Sequence, residues 1–142
     1  MAVSVYFDAS VLVSLFANDA LTARAEAYLR VNPSAPVISD FAATEFLSAI
    51  ARRVRMRILS ANEAQAVFST FDQWAATKAT RERTTSADIE SAVGILRRLD
   101  LALRAPDAIN IAIAQRIGAE LLTFDEQMAA EARTLGTTVL LP

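Results

Sequence analysis

Apolar and polar positions along this chain switch between two periods, and the switches predict alternating strands and helices. Val3 to Phe7 is a short β-branched and aromatic run; after Asp8-Ala9-Ser10, the apolar Val11 to Phe16 read as a helix that Ser10 can cap and Asn18 ends. Pro36 to Ser39 predicts a second strand, and Asp40 can cap a helix running through Glu45 and Ala49 towards Arg57. Ser60-Ala61-Asn62-Glu63 fits a capping box ahead of Ala64, Val67, Phe68, Phe71, Trp74 and Ala75, which recur at helical spacing as core or as a partner surface. A third strand is expected near Arg81 to Thr85. Thr85-Ser86-Ala87-Asp88 then opens a helix with Ile89, Ala92, Val93, Leu96 and Leu99 on one face. Pro106 precedes a helix from Asp107 to Ile117, followed by a strand Leu121 to Phe124, a helix Glu126 to Leu135 stopped by Gly136, and a strand Thr138 to Leu141.

Strands that alternate with helices predict an α/β fold: an open, mostly parallel sheet of four to five strands with helices on both faces. In such sheets ligands bind beyond the carboxyl ends of the strands. No linker, repeat or low-complexity stretch interrupts the pattern, so residues 1–142 are expected to form a single domain. A chain of this length can bury its own core. No apolar run approaches the ~20 residues that span a bilayer, and the N-terminus lacks a basic-then-apolar leader, so a cytoplasmic protein is expected.

The composition narrows the chemistry sharply. There is no cysteine and no histidine, which excludes a thiol nucleophile, an imidazole base and a Cys- or His-ligated metal. The only glycines are Gly94, Gly118 and Gly136, so no glycine-rich loop cradles a nucleotide. Acid–base or metal chemistry must run on the 16 carboxylates, which face 14 basic residues for a formal net charge of -2.

Four of those acids stand where solubility does not require them. Asp8 and Asp125 follow directly on hydrophobic strands, at the end where this architecture keeps its ligands. Either a helix cap or a ligand accounts for Asp125. Asp107 opens the apolar helix Ala108 to Ala114, where the helix dipole favours an acid, and Asn110 shares its face as the lone polar residue of the run. Glu45 is the lone charge in Phe41 to Leu47, and Arg52 follows seven residues later on the same face, as an ion-pair partner or a phosphate contact. Carboxylates brought together at one sheet edge repel one another unless a cation neutralises them. Hard oxygen donors suit Mg²⁺ or Mn²⁺, and such an ion permits hydrolysis without histidine.

Asp8-Ala9-Ser10 after the first strand, the helical Glu45, Pro106-Asp107-Ala108 and Thr123-Phe124-Asp125 together resemble the PIN-domain nucleases, over essentially the whole chain. The compact length resembles the VapC toxins of toxin–antitoxin pairs within that family. The resemblance implies a PIN-like α/β/α sandwich and a metal-binding catalytic quartet of Asp8, Glu45, Asp107 and Asp125. Ser10 and Thr123 match small hydroxyl residues beside the first and last acids, and Asn110 is carried over only as a supporting group behind them. It further implies an Mg²⁺- or Mn²⁺-dependent endoribonuclease, usually dimeric, silenced by a VapB-like antitoxin through which the pair binds operator DNA.

For gripping RNA, the densest basic run is Arg52, Arg53, Arg55 and Arg57, with Arg81 and Arg83 a second group. A solvated helix end accounts for the same run without a ligand. A response-regulator receiver would want an acidic pair after the first strand and a late lysine; a haloacid-dehalogenase phosphatase would want Asp-x-Asp, and this chain has neither. A PIN-like module that binds RNA without cutting it, and a stand-alone RNA-processing nuclease, are the remaining alternatives. Setting the quartet aside leaves 12 of the 16 acids against 14 bases, so the rest of the molecule suits a polyanion.

Overall fold

The computed structural model describes residues 3–142. Its elements run β1 (Ser4–Phe7), α1 (Ala9–Phe16), α2 (Thr22–Val31), β2 (Ala35–Ser39), α3 (Asp40–Arg55), α4 (Ala61–Lys78), β3 (Thr80–Glu82), α5 (Ser86–Arg97), α6 (Ala105–Ile117), β4 (Glu120–Leu122), α7 (Glu126–Thr134) and β5 (Val139–Leu140). The five strands form one sheet in the order β3-β2-β1-β4-β5, with every neighbouring pair parallel. Tyr6 on the central strand sits in register with Val37 on one side and Leu121 on the other. Consecutive residues Val5, Tyr6 and Phe7 are all buried, which requires helices over both faces of the sheet. The architecture is the expected PIN-like α/β/α sandwich. No helix among the described residues is long and apolar enough to cross a membrane.

The topology places a functional edge. The chain builds outward from β1 through β2 to β3, then crosses back to add β4 and β5 on the other side of β1. The order therefore reverses between β1 and β4, and the loops that leave these two strands part at their carboxyl ends. Such a reversal leaves a crevice for ligands.

The core explains which apolar stripes were structural. Phe16 of α1 packs at ring-centroid distances of 6.0, 5.5 and 5.3 Å against Phe46, Phe71 and Trp74. Phe7 of β1 stacks on the same Trp74 at 5.9 Å. The apolar stripe on α4 thus belongs to the core rather than to a partner surface.

Several sequence expectations are corrected. The helix Thr22–Val31 has low mean hydropathy and a single fully buried side chain, Ala25, so it carries little apolar periodicity to betray it. Helix α1 is capped by Asp8, whose side chain accepts from the Val11 N–H, and not by Ser10; α3 is capped by Ser39, not Asp40. Asp40 instead accepts from the backbone N–H and hydroxyl of Thr84. Strand β3 ends at Glu82 and β4 at Leu122, short of the expected Thr85 and Phe124, because the Thr85 N–H turns to Asp88 at the start of α5 and the Phe124 N–H to the Ser10 hydroxyl of α1. On α5 the inward line is Asp88, Ala92 and Ile95, while Ile89, Val93 and Leu99 are exposed. An acid took a core position there because Arg116 supplies it with a partner.

Helix α6 ends at Gly118, which adopts φ 65 and ψ 28, the left-handed conformation that side chains with a Cβ resist. A Cβ there would meet nothing within 4 Å, so the cost of substitution is purely conformational. Gly118→Ala is expected to lower stability by about 1 kcal/mol, or roughly 3 °C in thermal melting, with no effect on ligand binding. An unchanged melting temperature would contradict the assignment.

Candidate functional site

Asp8 and Asp125 stand at the helix starts that follow β1 and β4, Asp107 in the first turn of α6, and Glu45 within α3. Asp8 stands directly after β1 and is 5% exposed. Its Oδ1 accepts from the Val11 N–H at 3.1 Å and from the Ser10 hydroxyl at 2.6 Å, and its Oδ2 from the Thr123 hydroxyl at 2.5 Å. The two hydroxyls also hold the loop after β4. Ser10 Oγ accepts from the Phe124 N–H and Thr123 Oγ1 from the Asp125 N–H, both at 3.0 Å. Ser10 and Thr123 therefore stitch the two loops of the crevice together around one carboxylate. Burial pushes the Asp8 carboxyl up; the three hydrogen bonds draw it back, and the charge of Asp125 adds to the rise.

Asp125 is the exposed N-cap of α7, accepting from the Met128 N–H at 3.0 Å. Asp107 sits in the first turn of α6 and accepts from the Arg104 backbone N–H at 3.0 Å. Each aspartate thus has a helix-start role as well as its place at the edge.

Glu45 reaches the edge from within α3, and it rests on a buried polar chain. Its Oε1 accepts from Asn110 Nδ2 at 2.7 Å, and the same amide donates to the Pro106 carbonyl at 2.9 Å. Asn110 Oδ1 accepts from the Tyr6 hydroxyl at 2.5 Å. Tyr6 spends its one proton there, so the 2.6 Å contact to Ser39 has the serine hydroxyl donating. Ser39 in turn caps α3 through the Ala42 N–H. The buried ring of Tyr6 is held neutral because burial pushes its hydroxyl far up. Asn110 thus bonds Glu45 directly, and Tyr6 and Ser39, which the sequence did not single out, stand behind it. Val-Tyr-Phe reads as a core strand, and Ser39 stands beside Asp40, a second good cap.

Burial raises the Glu45 carboxyl; the Asn110 amide counters, and the charges of Asp8 and Asp107 raise it further. Asp8 and Glu45 therefore resist ionising, first through burial and then through neighbouring charge, a condition that a bound cation relieves. All the donors are hard oxygens, so the donor set fits Mg²⁺ or Mn²⁺ by chemistry. Among the described residues no three acidic side chains lie close enough to hold one ion. Asp8, Asp107 and Asp125 each answer a backbone N–H at a helix start instead.

A cleft of about 870 Å³ opens from Ser10 and Glu45 along α3. Arg52, Arg53 and Arg55 line it, and Arg104 joins them from the residue before α6. Two expectations for the basic run change here. Arg53 is paired with Asp19 at 3.1 Å and is occupied in holding the loop after α1 to α3. Arg57, at φ 60 where the chain turns away from α3, does not line the cleft. Arg52 makes no ion pair with Glu45, whose partner is Asn110. Arg104 is the residue that sequence reasoning missed, since a lone arginine before Ala105-Pro106 belongs to no basic run.

The PIN domain family model matches residues 5–133. No curated protein matches the chain. Among solved structures, the Mycobacterium tuberculosis toxin VapC20, described as cleaving the sarcin-ricin loop, superposes with a TM-score of 0.70 at 20% identity over 89% of this chain and 93% of that one. A toxin–antitoxin complex from Klebsiella pneumoniae gives 0.63 at 22% identity over 89% and 90%. DNA-bound VapBC from Salmonella typhimurium gives 0.72 at 11% identity over 98% of each chain. The structural likenesses establish the shared fold; with a family match that spans most of its length, the chain belongs to the PIN domain family.

Proposed function

We propose that this protein is a metal-dependent endoribonuclease and the toxin of a VapBC-like pair, restrained in the cytoplasm by a VapB-like antitoxin. The observation that carries the reading is an arginine-lined cleft between α1 and α3 that opens on Glu45, whose carboxyl feels the charges of Asp8 and Asp107. Family membership supports a nuclease, and the solved toxin–antitoxin complexes on the same fold support the antitoxin partner and operator DNA bound through it.

The chain's own residues divide the work. On this reading Asp8, Asp107, Asp125 and Glu45 would have to draw closer together to hold Mg²⁺ or Mn²⁺, since among the described residues no three of them stand close enough as they are. Such an ion, when bound, supplies a water of lowered pKa and neutralises charge on the phosphodiester. Ser10 and Thr123 fix the orientation of the Asp8 carboxylate, and Asn110, backed by Tyr6 and Ser39, fixes that of Glu45. Holding these groups in place before substrate arrives removes the reorganisation cost from the reaction. The arginines bring the polyanion to the acids.

The purified protein, incubated with a panel of structured RNAs, is expected to cut at least one of them in Mg²⁺ or Mn²⁺ and none after chelation with EDTA. Its expression is expected to arrest growth, with relief by a small neighbouring reading frame. Cleavage that persists in EDTA overturns the metal reading. Tight RNA binding with no cleavage under any metal favours the binding-module alternative, and cleavage with harmless expression favours a processing enzyme.

A further inference from the structure

The cleft contains one cation that neither its local sequence nor the basic run of α3 announces. Arg104 lies at the N-cap of α6 with extended backbone (φ -99, ψ 171), is exposed, and lines the cleft together with Arg52, Arg55 and Glu45. Among the described residues the arginines in ion pairs are Arg53, Arg98 and Arg116, so the guanidinium of Arg104 is uncommitted. Its backbone is not. The Arg104 N–H donates to Asp107 Oδ2 at 3.0 Å, and Pro106 stiffens the turn that follows. The bond that orients Asp107 therefore also fixes where Arg104 leaves the chain, which ties a permanent positive charge to one of the four acids.

We propose that Arg104 is a phosphate-binding residue that, with Arg52 and Arg55, grips the RNA backbone where the cleft opens on Glu45. The inference rests on the nuclease reading for its substrate class and adds the residue. A guanidinium is charged at every relevant pH and meets phosphate oxygens through paired N–H donors, so it both attracts and orients the backbone. At about 870 Å³ the cleft has room for a stretch of that backbone. Phe41 in its wall offers an aromatic face on which a base can stack.

The test is binding of a 5′-labelled single-stranded RNA dodecamer, followed by fluorescence polarisation in EDTA so that nothing is cut. Arg104→Ala is expected to raise Kd about tenfold and to reduce the slope of log Kd against log salt by about 0.7, one phosphate contact on a single strand. Arg104→Lys is expected to restore the slope but only part of the affinity, because an ammonium keeps the charge without the fork. Arg98→Ala, which removes an exposed pair to Asp100 outside the cleft, is the control expected to bind as the parent does. Parent-like affinity and slope in Arg104→Ala overturn the inference, and so does weakened binding with an unchanged slope. Binding that depends on Arg104 in a protein that cuts no RNA in Mg²⁺ upholds the inference and overturns the nuclease reading.

Discussion

Asp8→Asn is expected to lower RNA cleavage by at least about 10³-fold, the several kcal/mol that a correctly held metal contributes, while the fold is kept. The choice of asparagine follows from the burial of Asp8 and its bonds to Val11, Ser10 and Thr123. Alanine at this position would orphan a buried N–H and disturb two hydroxyls, at a cost of about 1–3 kcal/mol, and inactivity would then report lost structure as much as lost chemistry. Asparagine keeps one carbonyl oxygen for the helix cap and offers Thr123 a donor in place of an acceptor. It also removes the charge.

The stability consequence has a definite sign. Burial raises the Asp8 carboxyl above its unfolded value, so in metal-free buffer its contribution is favourable at low pH and is lost as pH rises through the folded value. Asp8→Asn in EDTA should therefore melt no lower than the parent at neutral pH. Added Mg²⁺ should raise the melting temperature of the parent and not that of the variant, by the ordinary mass action of a ligand that binds only the folded state. Undiminished cleavage by the folded variant would remove Asp8 from the centre, and Asp107→Asn supplies an independent copy of the same test.

The second large effect concerns stability alone. Arg116, on α6, donates to both oxygens of Asp88 at 2.7 and 3.1 Å, to Glu82 at 3.0 Å and to the Arg83 carbonyl at 3.0 Å. One side chain thereby ties α6 to the start of α5 and to β3, a three-residue strand at the sheet edge. The Asp88 side chain is 1% exposed and that of Arg116 is 31% exposed. Removing the cation leaves a buried carboxylate that accepts from the Thr85 backbone N–H and has lost its charged partner. Because Arg116 remains partly hydrated, the lower end of the range for breaking a buried pair applies. Arg116→Ala is expected to cost about 3 kcal/mol, a fall of roughly 6–12 °C in melting temperature.

This effect should fade in acid. Burial alone would push the Asp88 carboxyl up, but the bonds from Arg116 and Thr85 outweigh it and hold the carboxyl below its usual range. A lowered folded value means that the stabilisation is present above the unfolded carboxylate range, near pH 4, and is lost as pH falls through the folded value. Parent and Arg116→Ala melting curves should accordingly converge below about pH 4. A gap that is constant with pH would assign the loss to packing of the arginine stem instead.

Asp8, Ser10, Thr123 and Asn110 were legible because each breaks a local rule: an acid directly after an apolar strand, a hydroxyl beside it, an amide in an otherwise apolar helix; Asp107 and Asp125 stand where a helix start favours an acid and drew notice only in company with the others. Tyr6, Ser39 and Arg104 broke none. Tyr6 has the profile of a core residue until its hydroxyl is seen to meet Asn110, 104 positions away. The helix Thr22–Val31 was illegible for a related reason, since it buries too little to show a periodic stripe. On α5, periodicity alone chose Ile89 and Val93 over Asp88, because the arginine that makes a buried aspartate tolerable lies 28 residues away.

Local sequence by itself determined the strand–helix alternation, the parallel sheet that follows from it, and the confinement of any hydrolytic chemistry to carboxylates and a metal. Those properties depend on period, composition and neighbours a few positions apart, which a sequence displays directly. Only the tertiary structure decided which arginines are free and which are spent. Arg53 and Arg57 belong to the same run as Arg52 and Arg55, yet one is claimed by Asp19 and the other turns away from the cleft, while Arg104 arrives from a distant loop. Pairing and exposure depend on distances between remote segments, and the fold creates those distances only when α1, α3 and the start of α6 are brought together around the cleft.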